Sequence, residues 1–241
     1  MGAWFFTEDK VDKQYLISGE DAYHINKSLR MKIGEELTLC DKDGVCHICK
    51  ISDLKKDTVN VSVISSNPCT NEPKTKVTLF QALTKGDKMD FIIQKSVELG
   101  VTQIVPIITE RCISRPDSKN AEKKIVRWQK IAKQAAMQSR RGIIPKISPI
   151  LTFDESYSFA QSLDSKFVFY ENGGKKIDYF LNDHHKNIGF FVGSEGGFSE
   201  NEISILKSNG IYTATLGKRI LRAETAPIAA LSIIMYLEDS F

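Results

Sequence analysis

The sequence predicts a small all-β unit followed by an α/β domain with a mostly parallel sheet, and three observations indicate it. In residues 4–64, strand-type residues recur at close to period two between turn signals. A polar segment with two prolines follows at residues 65–73. Beyond it, apolar strands alternate with amphipathic helices, which is typical of a parallel sheet with helices on both faces. We therefore expect one domain at residues 1–70 and a second at residues 74–241.

The first unit is recognised by its turns and by the residues between them. Turn signals occur at Ile33–Glu35, Asp41–Gly44 and Lys55–Asp57. The strand-type residues are Thr38, Val45, Ile48, Val59, Val61 and Val63. Short strands at this spacing predict a sandwich or a barrel.

The second unit opens with a strand, a helix and a strand. Apolar runs predict strands at residues 77–83, 101–108, 167–170, 188–192 and 211–216. The first helix, residues 87–99, has one apolar face and ends before Gly100, a C-cap residue. A second helix at residues 121–138 has an apolar face that includes Trp128.

Two further helices complete the second unit. Ser199 and Glu202 form a capping-box pattern that predicts a helix ending at Gly210. The last helix is predicted at residues 226–237, and Pro227 is tolerated in its first turn. Ligands bind at the carboxyl ends of parallel strands. We therefore expect ligand-binding segments among the loops Glu171–Gly174, Gly193–Gly197 and Gly217–Thr225.

Composition excludes several classes of protein. A hydrophobic content of 41% excludes global disorder, and the net charge of +3 is weak. No apolar run approaches the ~18 residues of a bilayer span, and the N-terminus lacks a signal peptide, so we expect a cytoplasmic protein without membrane contact. Five cysteines without framework spacing suit a reducing compartment. We expect no metal site, since Cys46 and Cys49 on one strand would point to opposite faces.

The segment Val192–Phe198 contains three glycines between a predicted strand and a capped helix. Glycine lets the backbone approach a ligand closely, and the N–H groups there can donate to an acceptor. A tight strand-to-helix turn explains the glycines equally well. Neither a GxGxxG fingerprint nor a phosphate loop ending in Gly-Lys-Ser/Thr is present, which disfavours a dinucleotide site.

The segment Leu216–Ala226 places three cations after a buried strand and leads into an apolar helix. A solvated basic loop, with Glu224 or Thr225 as the N-cap of the helix, is one interpretation. It leaves the interleaved Ile220 and Leu221 unexplained, and these residues are typical of the lining of a pocket.

Positive charge is concentrated in residues 119–146, which carry a net charge of +8, whereas the rest of the chain sums to −5. Its nine cations, which we call the basic stripe, are Lys119, Lys123, Lys124, Arg127, Lys130, Lys133, Arg140, Arg141 and Lys146. A solvated helix face usually mixes both signs. The asymmetry favours a polyanion site, and nucleic acid in particular.

Two C-terminal motifs carry a resemblance to a known family. Gly193-Ser-Glu-Gly-Gly-Phe-Ser-x-x-Glu202 is followed by Leu216-Gly-x-Arg-Ile-Leu-Arg-x-Glu-Thr-Ala226. Together they closely resemble the RsmE family, bacterial 16S rRNA uridine N3-methyltransferases of the SPOUT superfamily. Weaker likeness covers nearly the whole chain, including Lys85–Met89 and Gln94–Val101.

The resemblance implies a PUA-like β-barrel that binds RNA, then a SPOUT-type α/β domain with a C-terminal trefoil knot. It implies S-adenosylmethionine as methyl donor, S-adenosylhomocysteine as product, the 16S rRNA of the small ribosomal subunit as substrate, and a homodimer. The donor-binding residues that it implies are Tyr170, Glu171, Val192, Gly193, Glu195, Gly196, Gly197, Leu216, Gly217, Ile220, Leu221 and Arg222.

For catalysis, we expect Arg222 to stabilise the charge that develops on uracil, and we consider Glu224 as a base. Glu224 is equally well explained as the N-cap of the last helix or as a residue that braces the loop before it. The candidate RNA contacts are Arg30, Lys85, Arg111, Arg140 and Arg141.

One position departs from the family, because Ser194 stands where Pro is usual. Since Pro restricts φ, Ser would loosen the loop. Two alternatives stay open. One is a SPOUT methyltransferase that acts on another RNA, and the other is a catalytically silent rRNA-binding assembly factor, for which Ser194 is the only support.

Overall fold

The computed structural model describes residues 2–181 and 185–238. The chain divides into two compact units: Met1–Glu72 with Ala136–Ile143, and Pro73–Ala135 with Ile144–Phe241. The segment Ala136–Ile143 is part of the first unit, whereas the sequence boundary assigns it to the second.

The first unit is built on one five-stranded sheet. Its strands are β1 (Ala3–Phe6), β2 (Gln14–Ser18), β3 (Glu36–Cys40), β4 (Val45–Leu54) and β5 (Thr58–Pro68). The spatial order is β1-β3-β4-β5-β2, in which β1 runs parallel to β3 and the other pairs are antiparallel. Leu37, Leu39, Val59 and Val61 occupy alternate positions on their strands and are buried, as the pleat of a half-buried sheet requires.

This unit also contains helix, which the all-β prediction misses. Helix α1 (Gly19–Tyr23) continues into a π-helical turn at His24–Leu29. Ala22 and Ile25, three residues apart, are fully buried in the same core as the sheet. The segment is too short for a helical period to be recognised in the sequence, so packing decides its conformation.

The cysteines of this unit depart from the expectation of a fully reduced set. Cys40 and Cys46 are partners in the β3–β4 ladder and form a disulfide. Cys49 is a free, buried thiol whose pKa burial raises to about 11. Across the described part of the chain, no group of three His, Cys, Asp or Glu side chains is placed to hold a metal ion.

The second unit is an α/β domain. Its strands are β6 (Lys76–Ala82), β7 (Gln103–Ile108), β8 (Lys146–Ile147), β9 (Leu151–Thr152), β10 (Ser165–Phe169), β11 (Asn187–Val192) and β12 (Tyr212–Ala214). Its helices are α2 (Lys88–Glu98), α3 (Ser118–Gln138, whose last residues belong to the first unit), α4 (Phe153–Ala160), α5 (Glu200–Ser208) and α6 (Thr225–Leu237), with a 3-10 turn at Ile177–Phe180. Within residues 2–181 and 185–238, no helix combines the length and apolarity of a membrane span.

All strand pairs in this sheet are parallel, which confirms the predicted fold class. The order is β12-β10-β11-β6-β7-β8, and β9 also pairs with β7. On the central strands, Phe80 and Phe191 stack with ring centroids 4.2 Å apart. The trefoil knot stays a prediction.

Three elements of the second unit are absent from the sequence prediction, namely β8, β9 and α4. The two strands have two residues each and lie below the length at which a period can be seen. The start of helix α4, in contrast, is marked in the sequence by a capping residue pair. Thr152 accepts a hydrogen bond from the Glu155 N–H, and the Glu155 side chain accepts from the Thr152 N–H, which is a capping box.

The topology determines where a ligand can bind. From β6 the sheet extends through β7 and β8 on one side and through β11, β10 and β12 on the other. The order therefore reverses between β6 and β11, and a crevice forms at the carboxyl ends of strands at such a point.

Candidate active site

A cavity of about 500 Å³ lies at the carboxyl ends of β10, β11 and β12. Three segments line most of it, residues 169–171, 192–198 and 215–223, together with Lys88 and Ala226. The structure thus brings together all twelve residues that the resemblance assigns to the donor: Tyr170, Glu171, Val192, Gly193, Glu195, Gly196, Gly197, Leu216, Gly217, Ile220, Leu221 and Arg222. A volume of this size suits a small-molecule ligand.

The glycine-rich loop, residues 193–197, is a tight turn that leaves no room for side chains at its three glycines. The Gly197 N–H donates to the Ser194 carbonyl at 3.0 Å, and Gly197 has a φ of +67°. A Cβ on Gly197 would lie 2.8 Å from Glu171 Oε1, and one on Gly193 would lie 3.0 Å from the Gly197 Cα. The cavity wall is therefore backbone here, as the glycine pattern indicates.

Ser194 supports this turn rather than facing solvent. The residue is buried, and its hydroxyl accepts a hydrogen bond from the Gly196 N–H at 3.4 Å. A serine can thus hold the turn by hydrogen bonding at the position where the resemblance leads us to expect proline.

Neighbouring elements hold the glycine-rich loop from outside. Arg111 Nη1 donates to the Gly196 carbonyl at 2.9 Å. Helix α5 begins with the predicted capping box between Ser199 and Glu202. Both residues also form hydrogen bonds with Glu110. Ser199 Oγ donates to Glu110 Oε2 at 2.6 Å, and the Glu110 N–H donates to Glu202 Oε1 at 2.8 Å. The loop therefore rests on a hydrogen-bonded frame.

The basic loop, residues 217–224, contributes cations at the cavity. Gly217 turns the chain after β12 with a φ of +105°. Lys218, Arg219 and Arg222 line the cavity and are exposed. The Arg222 carbonyl accepts from the Thr225 and Ala226 N–H groups at the start of α6, but its guanidinium makes no hydrogen bond with any described residue. That guanidinium is available to a ligand.

Ile220 differs from the expectation of a pocket-lining side chain. The residue borders the cavity, yet it is 84% exposed. Leu221 is only half-buried. The Ile220 side chain therefore lies at the mouth of the cavity rather than within its wall.

Lys88 lies at the cavity although the sequence did not single it out. Its Nζ is 3.1 Å from Glu195 Oε1 and 3.2 Å from Glu224 Oε2. These carboxylates raise the pKa of Lys88. The pKa of Glu195 is held low, against the effect of its burial, by its own backbone N–H, by Lys88 and by the Lys85 N–H. Both glutamates are distant in sequence from Lys88, so no local pattern could have indicated the pairing.

The Glu224 side chain pairs with Lys88 and does not cap helix α6. It occupies the N-cap position of α6, but its side chain accepts no capping hydrogen bond. Its own backbone N–H, and then Lys88 and Arg222, hold the pKa of its carboxylate below the usual range despite desolvation. A carboxylate with a lowered pKa is a weak proton acceptor, so the geometry favours bracing over the role of base.

The candidate RNA contacts do not share one environment. Lys85 and Arg111 are exposed in the second unit. In the first unit, Arg30 is exposed and Arg140 is half-buried, and both have positive φ.

Arg141 requires a correction. The residue is 3% exposed, and its Nη2 donates to Glu72 Oε2 at 2.6 Å while its Nε donates to Glu72 Oε1 at 3.2 Å. A buried, bidentate pair of this kind holds the first unit together. We therefore assign Arg141 a structural role instead of an RNA contact.

The basic stripe lies largely on α3. Lys119, Lys123, Arg127 and Lys130 are spaced by three or four residues and so share one face of that helix. Arg127 is paired with Asp87 and with Asp90. Lys119 and Lys123 are exposed. Part of the stripe thus supports the fold, and part presents charge to solvent.

Comparison with known proteins gives matches over most of the chain. A model of the RNA methyltransferase domain matches residues 70–235, and a model of the RNA methyltransferase PUA domain matches residues 17–64. The ribosomal RNA small subunit methyltransferase E of Bacillus subtilis is 36% identical over 229 residues, which cover 92% of this chain and 90% of that protein. The protein of the same name from Buchnera aphidicola is 32% identical over 98% of this chain and 94% of its own length.

Solved structures show the same architecture. A ribosomal RNA small subunit methyltransferase E from Neisseria gonorrhoeae, bound to S-adenosylmethionine, superposes with a TM-score of 0.89 at 35% identity, over 98% of each chain. A methyltransferase from Legionella pneumophila in complex with the same cofactor gives a TM-score of 0.91 at 31% identity, also over 98% of each chain.

Proposed function

This chain belongs to the ribosomal RNA small subunit methyltransferase E family, and we propose that it transfers a methyl group from S-adenosylmethionine to N3 of a uridine in 16S rRNA. The single observation that carries the proposal is the cavity at the ends of β10, β11 and β12. Its lining contains the greater part of both motifs by which the sequence resembles the RsmE family. We place the reaction in the cytoplasm, because its substrate is ribosomal.

The residues at the cavity fit S-adenosylmethionine. Its wall at the three glycines of residues 193–197 is backbone, and a Cβ at Gly196 would lie 2.9 Å from the Arg111 Cβ, so that position admits no larger residue. Apolar side chains of Phe169, Val192 and Leu216 offer a surface for the adenine ring. Backbone N–H groups and the charged side chains would hold the polar parts of the donor.

The bound donor supplies an electrophilic methyl group, and the protein has to present a nucleophile to it. Uracil N3 carries a proton and is paired within duplexes, so the base must be unpaired or flipped before it can react. Loss of that proton leaves a negative charge shared by N3, O2 and O4. We assign stabilisation of this charge to Arg222, whose guanidinium borders the cavity and has no hydrogen-bond acceptor among the described residues.

We keep Glu224 in the catalytic site with an indirect role. Its ion pair with Lys88, at 3.2 Å, supports a bracing function for the basic loop. If Glu224 were nevertheless the base, its lowered pKa would have to rise when the substrate binds.

RNA binding involves both units in this proposal. The PUA domain match supports a role of the first unit in binding rRNA, and Arg30 and Arg140 are its candidate contacts. In the second unit, Lys85, Arg111 and the exposed lysines of α3 offer cations to the phosphate backbone.

We further propose a homodimer, with α6 as part of its interface. Ile233, Tyr236 and Leu237 on this helix are exposed apolar residues, at 40%, 75% and 39%. A second copy of the chain is the occupant that the resemblance implies. Static light scattering of the wild type and of Tyr236→Glu tests this: we expect a dimer that the charged variant weakens, and a monomeric wild type would contradict it.

The proposed reaction can be tested with small ribosomal subunits that lack the modification. We expect the purified chain and S-adenosylmethionine to produce 3-methyluridine at one site of the 16S rRNA, detected by mass spectrometry after digestion. Small subunits that already carry the modification are the matched control and should accept no further methyl group.

Two other results would contradict the proposal in different ways. If the chain binds S-adenosylhomocysteine but forms no 3-methyluridine, the donor site is supported and the RNA target is a different one. Failure to bind S-adenosylhomocysteine in calorimetry would indicate a silent rRNA-binding factor.

A further inference from the structure

Lys88 connects the two loops that form most of the cavity. It lies in the first turn of α2, and its ammonium group is 3.1 Å from Glu195 Oε1 in the glycine-rich loop. The same group is 3.2 Å from Glu224 Oε2 at the end of the basic loop. The side chains of Lys88, Glu195 and Glu224 are 34%, 31% and 20% exposed, so solvent screens these ion pairs only in part.

The surroundings of the two glutamates indicate that they depend on Lys88. Glu224 Oε2 is buried and accepts no well-aligned hydrogen bond from the described residues, so the nearby ammonium, together with the residue's own backbone N–H, offsets its charge. Glu195 Oε1 also accepts from the Lys85 N–H at 3.2 Å, which anchors it to the loop before α2. Without a cation, two carboxylates would face the space that Lys88 now occupies.

We propose that Lys88 is a positioning residue, which holds the glycine-rich loop and the basic loop at the separation that the methyl donor requires. The inference rests on the proposed function, because the donor is the ligand whose affinity reports on that separation. Lys88 acts through Glu195 and Glu224 and has no assigned contact with the reacting atoms.

Removal of the lysine should make donor binding depend on pH. In the wild type, Lys88 helps to lower the pKa of Glu195 and Glu224, so both stay ionised well below pH 7. Without the ammonium, each pKa rises, and protonation as the pH falls removes the repulsion between the two carboxylates. The other charged side chains at the cavity, Glu171, Lys218, Arg219 and Arg222, are unchanged between the variants.

The experiment measures S-adenosylhomocysteine affinity by isothermal titration calorimetry between pH 5.5 and 8. For Lys88→Met we expect about a tenfold weaker Kd at pH 7.5, with a partial recovery of about threefold at pH 5.5. Lys88→Arg keeps a cation within reach of both carboxylates, and its Kd should stay within about threefold of the wild type.

Lys95→Met is the matched control. Lys95 lies on the same helix, its side chain is equally exposed at 34%, and it forms an ion pair with Glu98 at 2.9 Å. That pair lies outside the cavity lining, so its loss should leave the Kd within about twofold at every pH.

Three results would overturn the inference. Lys88→Met could bind as tightly as the wild type, its loss of affinity could be independent of pH, or Lys88→Arg could fail to rescue it although its melting temperature matches the wild type. A wild-type chain that does not bind S-adenosylhomocysteine at all would instead contradict the proposed function, and this inference with it.

Discussion

Arg222 is the residue whose chemistry is most directly testable. If its guanidinium stabilises the uracil anion, Arg222→Ala should lower kcat by about 10²-fold, while the Kd of S-adenosylhomocysteine changes by less than about threefold. Single-turnover methylation of small subunits and calorimetry separate the two quantities. Arg222→Lys should recover only part of the rate, because a point charge cannot bridge two oxygens as a guanidinium does.

An equal loss of rate and donor affinity in Arg222→Ala would contradict this role. Arg222 would then be a donor-binding residue, and the negative charge would need another partner at the cavity, of which Lys218 and Arg219 are the charged candidates on the same loop.

Arg141 should matter for stability rather than for RNA affinity. Arg141→Met leaves Glu72 without its bidentate partner, and Glu72 also accepts from the Gly142 N–H at 2.8 Å. Because Glu72 is partly exposed, we expect a loss of about 2–3 kcal/mol in the free energy of unfolding, measured by urea denaturation.

A variant of the neighbouring residue, Arg140→Met, distinguishes a structural role from an RNA-binding role. Arg140 is half-buried, and as a candidate RNA contact it should lose RNA affinity with a change in stability below about 0.5 kcal/mol. Equal stability of the Arg141→Met variant and the wild type would reverse our correction.

Among the segments that line the cavity, the glycine-rich loop has the strictest backbone requirement. Gly197→Ala and Gly210→Ala both place a Cβ at a positive φ, +67° and +75°, and each should destabilise the protein by about 1 kcal/mol. Only the Cβ at position 197 meets a neighbour, Glu171 Oε1 at 2.8 Å, whereas none lies within 4 Å of one at position 210.

We therefore expect Gly197→Ala to weaken S-adenosylhomocysteine binding by at least about tenfold, whereas Gly210→Ala retains wild-type affinity. Calorimetry at one temperature below both melting transitions measures this. Equal affinities for the two variants would show that the loop does not bind the donor.

Elements with strong local signals were predictable, and those without were not. Helix α5 was predictable because Ser199 and Glu202 encode its start, and α2 because its apolar residues repeat with the helical period. The helical segment at residues 19–29 was not, since its two buried residues are too few to define a period. Its conformation depends on the sheet against which it packs.

For the whole molecule, the unequal distribution of charge predicts how RNA binding responds to salt. Binding of a 16S rRNA fragment should weaken linearly in log Kd against log salt concentration. Replacing Lys119 and Lys123, both exposed on α3, by Glu should reduce the slope by about one to two. Fluorescence anisotropy between 50 and 300 mM salt measures the slope.

A double variant outside the stripe controls for net charge. Lys74→Glu with Lys207→Glu makes the same change in total charge at two exposed positions. Its slope should stay close to that of the wild type. If both double variants reduced the slope equally, net charge alone would account for RNA affinity, and the stripe would have no special part in it.

Local and long-range information thus contribute differently to this protein. Periodicity, caps and glycine spacing were enough to predict a parallel α/β domain and two of the three segments that line the cavity, since each of these signals lies within a few residues. Of the third predicted loop, Glu171–Gly174, only Glu171 belongs to the cavity lining. The family resemblance added the reaction. The ion pairs of Lys88 with Glu195 and Glu224, the burial of Arg141 against Glu72, and the exposed position of Ile220 were decided only by the tertiary structure. They join residues far apart in the chain, and the charge, burial and pKa of such residues depend on which neighbours the fold brings to them.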